Sequence, residues 1–185
     1  MTNILVLVGS LRAASSNRQI AEVAVELGQA EGLDVTVYGG LGELPFYNED
    51  LDTADAPAGA VALRAAAADA DAVLAITPEY NGTIPAVLKN AIDWLSRPFG
   101  ASAIKGKPVA VIGTALGQYG GVWAHDETRK SFGIAGGRVI DNVTLSVAGK
   151  TLDGRHPREL DEVVSGVRTA LQELVDARAA EESVA

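Results

Sequence analysis

Two adjacent stretches of sequence determine the fold. They are Ile4-Leu5-Val6-Leu7-Val8 and, directly after it, Gly9-Ser10-Leu11-Arg12-Ala13-Ala14-Ser15-Ser16-Asn17-Arg18. Five consecutive aliphatic residues are typical of a buried strand. Apolar residues recur at helical spacing after the second stretch, so the segment predicts a strand, a polar loop and a helix. A helix N-terminus has unpaired backbone N–H groups and the positive end of the helix dipole, so this first loop suits an anion.

The first loop carries the hydrogen-bond donors that a phosphate monoester needs. They are three hydroxyls, an amide and two guanidinium groups, supplied by Ser10, Ser15, Ser16, Asn17, Arg12 and Arg18. Ser16 and Gln19 also have the spacing of a capping box. The alternative is an ordinary capped helix behind a serine-rich turn, and the loop alone does not separate the two.

The composition excludes several classes of function. Residues 1–185 are 48% hydrophobic and 21% charged, which predicts a single globular domain, with 179–185 as a frayed tail. The net charge of -9 argues against a nucleic-acid partner. No cysteine is present, and two separated histidines do not make a metal site, so no metal is expected and redox chemistry needs an organic cofactor. Neither a signal peptide nor a membrane span is apparent, which predicts a cytoplasmic protein without a membrane partner.

Short apolar strands alternate with amphipathic helices along the chain. The strands are predicted at 4–8, 34–38, 72–76, 109–112 and 139–147, with later helices at 60–68, 85–95, 120–132 and 157–176. This alternation predicts an α/β fold with a doubly wound parallel sheet of five strands. Five strands favour the flavodoxin-like order 2-1-3-4-5 over a Rossmann order, which would want a sixth strand. Ligands of such sheets bind beyond the carboxyl ends of the strands.

Two more loops leave strands at that same edge. The second loop, Pro78-Glu79-Tyr80-Asn81-Gly82-Thr83-Ile84-Pro85, suits the wall of a flat ring, although a rigid turn in which Tyr80 covers the sheet edge has the same composition. The third loop, Gly113-Thr114-Ala115-Leu116-Gly117-Gln118-Tyr119-Gly120-Gly121, permits close approach of the backbone to a ligand, as would a plain flexible connection. Their convergence with the first loop favours a planar, phosphorylated ligand. No P-loop or G-x-G-x-x-G sequence follows the first strand.

Together these motifs resemble the NAD(P)H-dependent FMN reductase family, which includes quinone, chromate and azo-dye reductases. The resemblance rests on Gly9-Ser10-Leu11-Arg12 with Ser15 and Asn17-Arg18, on the second loop, and on Leu88-Lys89-Asn90-Ala91-Ile92-Asp93-Trp94, and residues 44–48 and the third loop also match. It implies an FMN-dependent oxidoreductase that takes hydride from NADPH or NADH and reduces a small acceptor such as a quinone, azo compound, free flavin or metal oxyanion. The flavin then carries the chemistry, so no catalytic side chain is expected.

Two alternatives from other classes remain at this point. One is a flavodoxin-type electron carrier that binds FMN without NAD(P)H activity. The other is an interaction module that has kept the sheet and lost the flavin.

The resemblance also implies which residues bind FMN. Those implied for the phosphate are Ser10, Arg12, Ser15 and Asn17, with Ser16 as a further candidate. Those implied for the isoalloxazine and ribityl chain are Pro78, Glu79, Tyr80, Asn81 and Gly82, with Thr114 and Gly117 on the other side.

The resemblance further implies a homodimer or homotetramer with the flavin near the interface. Trp94, Pro98 and Phe99 are expected to form an apolar patch beside the second loop, or else to cap the core. Trp123 and His125 stand where many relatives carry Arg and Gln, which leaves their contacts open. A surface or helix-packing role is expected for His125, because the sequence shows no partner for it.

Overall fold

A parallel β-sheet runs through the computed structural model, which describes residues 1–182. Its strands are β1 (Asn3–Val8), β2 (Asp34–Val37), β3 (Ala72–Ile76), β4 (Pro108–Ala115), β5 (Arg138–Val139) and β6 (Ser146–Ala148). Hydrogen bonds order them β2-β1-β3-β4-β5, with β6 also paired to β4, and each of these pairs is parallel. The predicted flavodoxin-like order 2-1-3-4-5 is confirmed.

The connections between strands are mostly helical. The helices are α1 (Ser16–Glu31), α2 (Ala58–Asp69), α3 (Ala86–Leu95), α4 (Val122–Ile134), the single turn α5 (Gly149–Leu152) and α6 (Asp161–Glu182). The helix predicted over 157–176 is preceded by a separate 3-10 turn, Pro157–Glu159, and continues to Glu182, so residues 179–182 of the predicted frayed tail are helical. Residues 183–185 of that tail lie outside the described residues. Within residues 1–182, no helix is long and apolar enough to cross a membrane.

Both faces of the sheet are buried. In β1, Ile4, Val6 and Val8 pack into a cluster with α1 and α6. The alternate residues Leu5 and Leu7 pack into a second cluster, which includes side chains from α2, α3 and α4. Alternation of this kind places helices on both sides of the sheet and leaves its carboxyl edge for the loops.

The second cluster decides between two expectations for Trp94. It was expected either in an apolar patch with Pro98 and Phe99 or at the core, and its side chain is fully buried in this cluster. Pro98 and Phe99 are exposed. Trp94 therefore belongs to the core.

The prediction of one continuous fifth strand over 139–147 is wrong, because two short strands, β5 and β6, lie in this region. β5 pairs with Pro108 and Val109, β6 pairs with the end of β4, and residues 140–145 leave the ladder between them. Arg129 of α4 donates through Nη2 to the carbonyl oxygens of Val111 (2.9 Å) and Val143 (2.7 Å). Its guanidinium therefore bridges the gap between β4 and the interrupted strand.

Candidate functional site

The first loop leaves β1 in close contact with the end of β3. The backbone N–H of Gly9 donates to the carbonyl oxygen of Ile76 over 2.8 Å. A Cβ atom at Gly9 would lie 2.4 Å from Oγ1 of Thr77, so only glycine permits this approach. The first and second loops therefore meet where their strands end.

The first turn of α1 is open towards a ligand. Ser15 is the N-cap residue, and within residues 1–182 its side chain makes no capping hydrogen bond. The predicted capping box of Ser16 and Gln19 is wrong, because the N–H of Gln19 donates to the carbonyl oxygen of Ser15 (3.0 Å) as an ordinary helical bond. The first turn contains no acidic residue. The positive end of α1 is thus suited to an external anion.

The predicted phosphate donors differ in their exposure. Ser10 and Ser15 are buried, Ser16 is half-buried, and Arg12 and Arg18 are exposed. The N–H of Ser15 donates to the carbonyl oxygen of Arg12 (3.1 Å), and this turn brings Arg12 to the start of α1. Packed hydroxyls and an exposed guanidinium therefore surround the same helix N-terminus.

Asn17 ties the first loop to the third. Its Oδ1 accepts from the N–H of Thr114 and its Nδ2 donates to the carbonyl oxygen of Thr114, both over 2.9 Å. The side chain is buried, and a carboxamide has two N–H groups, so Asn17 retains at most one donor for a phosphate. Its main role in this structure is to hold two loops together.

The second loop contains a preformed tight turn. Tyr80 and Thr83 exchange two backbone hydrogen bonds of 3.2 and 3.1 Å, and φ is 53° at Asn81 and 77° at Gly82. Positive φ at both central residues is typical of a type I′ turn, which Asn-Gly accommodates best. Tyr80, Asn81 and Gly82 are exposed, so the hairpin presents its backbone and one aromatic ring to a ligand.

Pro78 and Glu79 face the protein more than the solvent. Pro78 is buried. Oε2 of Glu79 accepts from the N–H of Ala124 over 3.3 Å. Ala124 lies in the first turn of α4, where a carboxylate is favoured by the free N–H groups and the helix dipole. Glu79 therefore links the second loop to α4.

The third loop combines a crowded glycine with an open one. A Cβ atom at Gly113 would lie 2.1 Å from the carbonyl oxygen of Thr77 and 2.8 Å from Oδ1 of Asn17. At Gly117, by contrast, a Cβ would meet no atom of the described chain within 4 Å. The buried hydroxyl of Thr114 donates to the carbonyl oxygen of Val147 (2.6 Å) and so faces β6. Gly117 is thus the predicted third-loop residue that is accessible to a ligand.

His125 is fully buried rather than at the surface, and it has two partners. Its Nε2 lies 2.9 Å from the carbonyl oxygen of Thr77, and its Nδ1 lies 2.6 Å from Oγ of Ser146. Because a carbonyl oxygen only accepts, we assign the proton to Nε2, and Nδ1 then accepts from the serine hydroxyl. Both partners are remote from His125 in sequence, so no local pattern indicates them.

Burial lowers the pKa of His125, because it penalises the charged form. The Thr77 carbonyl oxygen raises the pKa, Arg129 lowers it, and Glu79 and Asp126 raise it, without offsetting the effect of burial. The imidazole is therefore neutral at pH 7, as the assigned hydrogen bonds require.

Trp123 lies against the hairpin of the second loop. A Cβ atom at Gly82 would be 4.0 Å from Cε3 of Trp123. The rings of Trp123 and Tyr119 have centroids 5.5 Å apart and are tilted by 52°. Both rings are about half exposed, at 54% and 57%. They form an aromatic surface on the outer side of the hairpin.

A cleft of about 410 Å³ opens between the first loop and the start of α3. Its walls are mainly apolar and include Leu11, Leu41, Leu44, Phe46, Tyr80 and Val87. Arg12 supplies the positive charge of the lining. The cleft thus joins Arg12 of the first loop to an apolar surface.

Two residues of α3, spaced by four, hold one wall of this cleft. Oδ1 of Asn90 accepts from the N–H of Tyr47 (2.8 Å), and Nε1 of Trp94 donates to the carbonyl oxygen of Pro45 (2.7 Å). The motif 88–94, which supported the family resemblance, thus holds the backbone of residues 44–47 in place. Sequence reasoning noted both motifs without connecting them.

The residues present fit FMN in charge and shape. The open N-terminus of α1 with Ser10, Ser15 and Arg12 matches a phosphate dianion, and the hairpin with Tyr80 offers a backbone edge and an aromatic side to a flat ring. The structure brings the three predicted loops together. However, the side chains of Asn17, Glu79 and Thr114 form hydrogen bonds within the protein, and these bonds connect the loops to each other and to neighbouring elements.

Known proteins resemble this chain in sequence and in structure. The family model described as NADPH-dependent FMN reductase matches residues 2–151. A 2-hydroxy-1,4-benzoquinone reductase of a Burkholderia species is 46% identical over 127 residues, covering 68% of this chain and 67% of that protein. A quinone reductase of Pseudomonas putida is 43% identical over 130 residues, covering 70% and 68%.

Among solved structures, FerB of Paracoccus denitrificans, a flavoenzyme NAD(P)H:(acceptor) oxidoreductase, superposes with a TM-score of 0.73 at 33% identity. The superposition covers 92% of this chain and 99% of FerB. The match of the family model extends over the first, second and third loops and all six strands of the sheet. The chain belongs to the NADPH-dependent FMN reductase family.

Proposed function

We propose that FMN binds across the three loops of this site, within a single domain formed by the chain. The α1 N-terminus with Ser10, Arg12, Ser15 and Ser16 would hold the phosphate, and one N–H of Asn17 would complete the set. Pro78, Glu79, Tyr80, Asn81 and Gly82 would line the ring, with the backbone at Thr114 and Gly117 opposite. The observation that carries this proposal is the uncapped N-terminus of α1 beside a preformed type I′ hairpin.

Family membership makes the chain an FMN-dependent oxidoreductase that uses NAD(P)H. Bound FMN supplies the chemistry, since it accepts hydride from NAD(P)H and passes electrons to an acceptor. The protein binds the phosphate, orients the ring and leaves one side accessible. Backbone N–H groups at Asn81, Gly82 and the third loop would stabilise negative charge on the ring.

We infer that the acceptor is a quinone. The 410 Å³ cleft has mainly apolar walls that suit a small planar ring. The similar proteins of Burkholderia and Pseudomonas putida are named as quinone reductases.

Anaerobic mixing of the FMN-loaded protein with NADPH, and separately with NADH, tests the enzymatic function. Loss of the flavin absorbance near 450 nm at a rate that matches turnover is the expected result. A flavin that stays oxidised would favour the electron-carrier alternative, and a purified protein that takes up no added FMN would favour the interaction module. In substituted-enzyme turnover the oxidised nicotinamide leaves before the quinone binds, so double-reciprocal plots for NAD(P)H at several benzoquinone concentrations are expected to be parallel. Intersecting lines would contradict this order.

We further propose a homodimer or homotetramer in the cytoplasm. Several large apolar side chains are exposed, among them Leu11, Phe46 and Leu116 near the site and Phe99 after the end of α3. Exposed apolar surface of this kind is typical of protein interfaces. A cytoplasmic location agrees with the use of NAD(P)H. Light scattering at several protein concentrations measures the assembly, and a monomer at all of them would contradict it.

A further inference from the structure

Three loops of the proposed FMN site meet around one residue, Thr77, which is fully buried. Its N–H donates to the carbonyl oxygen of Ile112 (3.0 Å), and its Oγ1 donates to the carbonyl oxygen of Pro78 (3.0 Å). Its own carbonyl oxygen accepts from Nε2 of His125 (2.9 Å). Thr77 comes directly before the second loop, so these bonds determine how the hairpin starts.

The space around the Thr77 carbonyl oxygen is filled. A Cβ atom at Gly113 would lie 2.1 Å from this oxygen and 2.9 Å from Nε2 of His125. A Cβ atom at Gly121 would lie 3.2 Å from the same nitrogen. The imidazole therefore occupies a close-fitting position between the second and third loops, where a longer or wider side chain would not fit.

Ser146 determines which way the imidazole donates. It lies in β6, opposite Gly113 in the register with β4, and its Oγ is 2.6 Å from Nδ1. A serine hydroxyl can donate to Nδ1, which leaves the proton on Nε2 and directs it at the Thr77 carbonyl oxygen. The chain Ser146 to His125 to Thr77 thus links β6 to the start of the second loop.

We propose that His125 is a positioning residue for the flavin, which holds the Thr77 carbonyl oxygen and so keeps the Tyr80–Thr83 hairpin in its binding shape before FMN arrives. The inference rests on the proposed FMN site. A hairpin that is already ordered loses less conformational entropy when the ligand binds, and the ligand therefore binds more tightly. His125 itself need not touch the flavin.

FMN titration of the apoprotein, followed by quenching of FMN fluorescence, tests the proposal with His125→Leu and His125→Gln. Leucine removes both hydrogen bonds and leaves a buried acceptor unpaired, so we expect the Kd for FMN to rise about tenfold or more. Glutamine keeps an N–H donor and should recover most of this loss. His156→Gln is the matched control, because it changes the other histidine, which lies outside the three loops, and its Kd should equal that of the wild type.

The absorption spectrum of bound FMN gives a second readout that packing stability alone would not move. We expect the Leu variant to shift the spectrum and the Gln variant to restore it. A folded Leu variant with the wild-type Kd and spectrum would overturn the inference. A Gln variant as weak as the Leu variant would overturn it too, because the loss would then come from packing and not from the hydrogen bond.

Imidazole NMR of the wild-type apoprotein keeps the inference testable even if the Leu variant does not fold. The His125 signals, identified by their absence in His125→Gln, should show a neutral ring with the proton on Nε2. A proton on Nδ1 or a charged ring at pH 7 would overturn the inference. Failure of the wild type to bind FMN would refute the proposed function, whereas wild-type binding with unaffected variants would refute the role of His125 alone.

Discussion

The inner and outer parts of the site are built in opposite ways. The inner part, which we call the floor, consists of Asn17, Thr77, Gly113, Thr114 and His125; the four side chains among them are buried and hydrogen-bonded. The outer part, the rim, consists of side chains that are 52–97% exposed: Leu11, Phe46, Tyr80, Leu116, Tyr119 and Trp123. Buried side chains that are fully hydrogen-bonded keep one conformation, whereas exposed side chains can change conformation to contact ligands of different shapes. We therefore expect the floor to fix the positions of the three loops that would bind the cofactor, and the rim to influence the choice of acceptor.

The largest expected effect comes from filling the floor at Gly113. In Gly113→Ala the new methyl group would collide with the Thr77 carbonyl oxygen, so we expect a loss of about 4 kcal/mol or more in the free energy of unfolding, measured in urea. Gly117→Ala, in the same loop but without neighbours, should change it by less than about 0.5 kcal/mol. Equal stability of the two variants would mean that the loops are not locked at Gly113.

Asn17→Ala breaks the floor at the link between the first and third loops. It leaves the buried N–H and carbonyl oxygen of Thr114 without partners, which should lower the free energy of unfolding by about 2–4 kcal/mol. The exposed Asn142→Ala is the control, with an expected change within about 0.5 kcal/mol. If Asn17→Ala weakened FMN binding without loss of stability, Asn17 would be a ligand contact instead of a link.

Arg12→Ala sharpens the same contrast from the ligand side. Arg12 is exposed, so the apoprotein should keep its stability, while loss of a charge-assisted bond to the phosphate should raise the Kd for FMN by about 10- to 100-fold. Isothermal titration calorimetry measures the Kd, and Arg168→Ala, whose side chain pairs with Glu31, should leave it unchanged. An unchanged Kd for Arg12→Ala would place the phosphate elsewhere.

Acid should weaken the floor through His125. Burial lowers the pKa of His125 in the folded protein below the ordinary value of 6.5, so below pH 6.5 the unfolded chain takes up a proton that the folded protein does not. Unfolding is then favoured as the pH falls, by at most about 1.4 kcal/mol per pH unit until the folded-state pKa is reached. Urea unfolding between pH 5 and pH 8 should show this slope in the wild type relative to His125→Gln. Parallel curves for the two proteins would contradict it.

The smallest expected effect on stability belongs to the rim. Phe46 is 79% exposed, so Phe46→Ala should change the free energy of unfolding by less than about 0.5 kcal/mol. If the cleft receives the quinone, the same variant should raise the KM for a benzoquinone several-fold and leave kcat unchanged. Steady-state kinetics should show the higher KM with a benzoquinone but not with ferricyanide, which needs no apolar cleft. Equal KM values in wild type and variant would remove Phe46 from the acceptor site.

Local patterns were sufficient to predict the sheet order and the three loops. The aliphatic run at 4–8 and the helical stripe of α3 are visible in the sequence, because strand and helix periods depend on neighbouring residues. The gap in the fifth strand was missed although it has a local signal, since Asp141-Asn142 form a turn there and both residue types are disfavoured in strands. Its bridging by the guanidinium of Arg129, from a different helix, has no such local signal.

The polar residues of the floor show the same limit. Asn17 and Thr114 have the right groups to contact a ligand, but their pairing joins positions 97 residues apart. His125 lacks an evident partner in the sequence, and only the folded chain brings Ser146 and Thr77 to its two nitrogens. Residue types thus indicated which side chains could hydrogen-bond to a ligand, but only the tertiary contacts show which of these side chains are already bonded within the protein.

The bridge that Arg129 makes also bears on how copies of the chain can associate. It lies at one edge of the sheet, where β5 has two residues, β6 has three, and the stretch between them is out of the ladder. A short, interrupted edge offers no row of free backbone groups on which a second chain could align a strand. We therefore expect oligomers not to form by extension of the sheet at this edge, which also protects this edge against strand-to-strand aggregation.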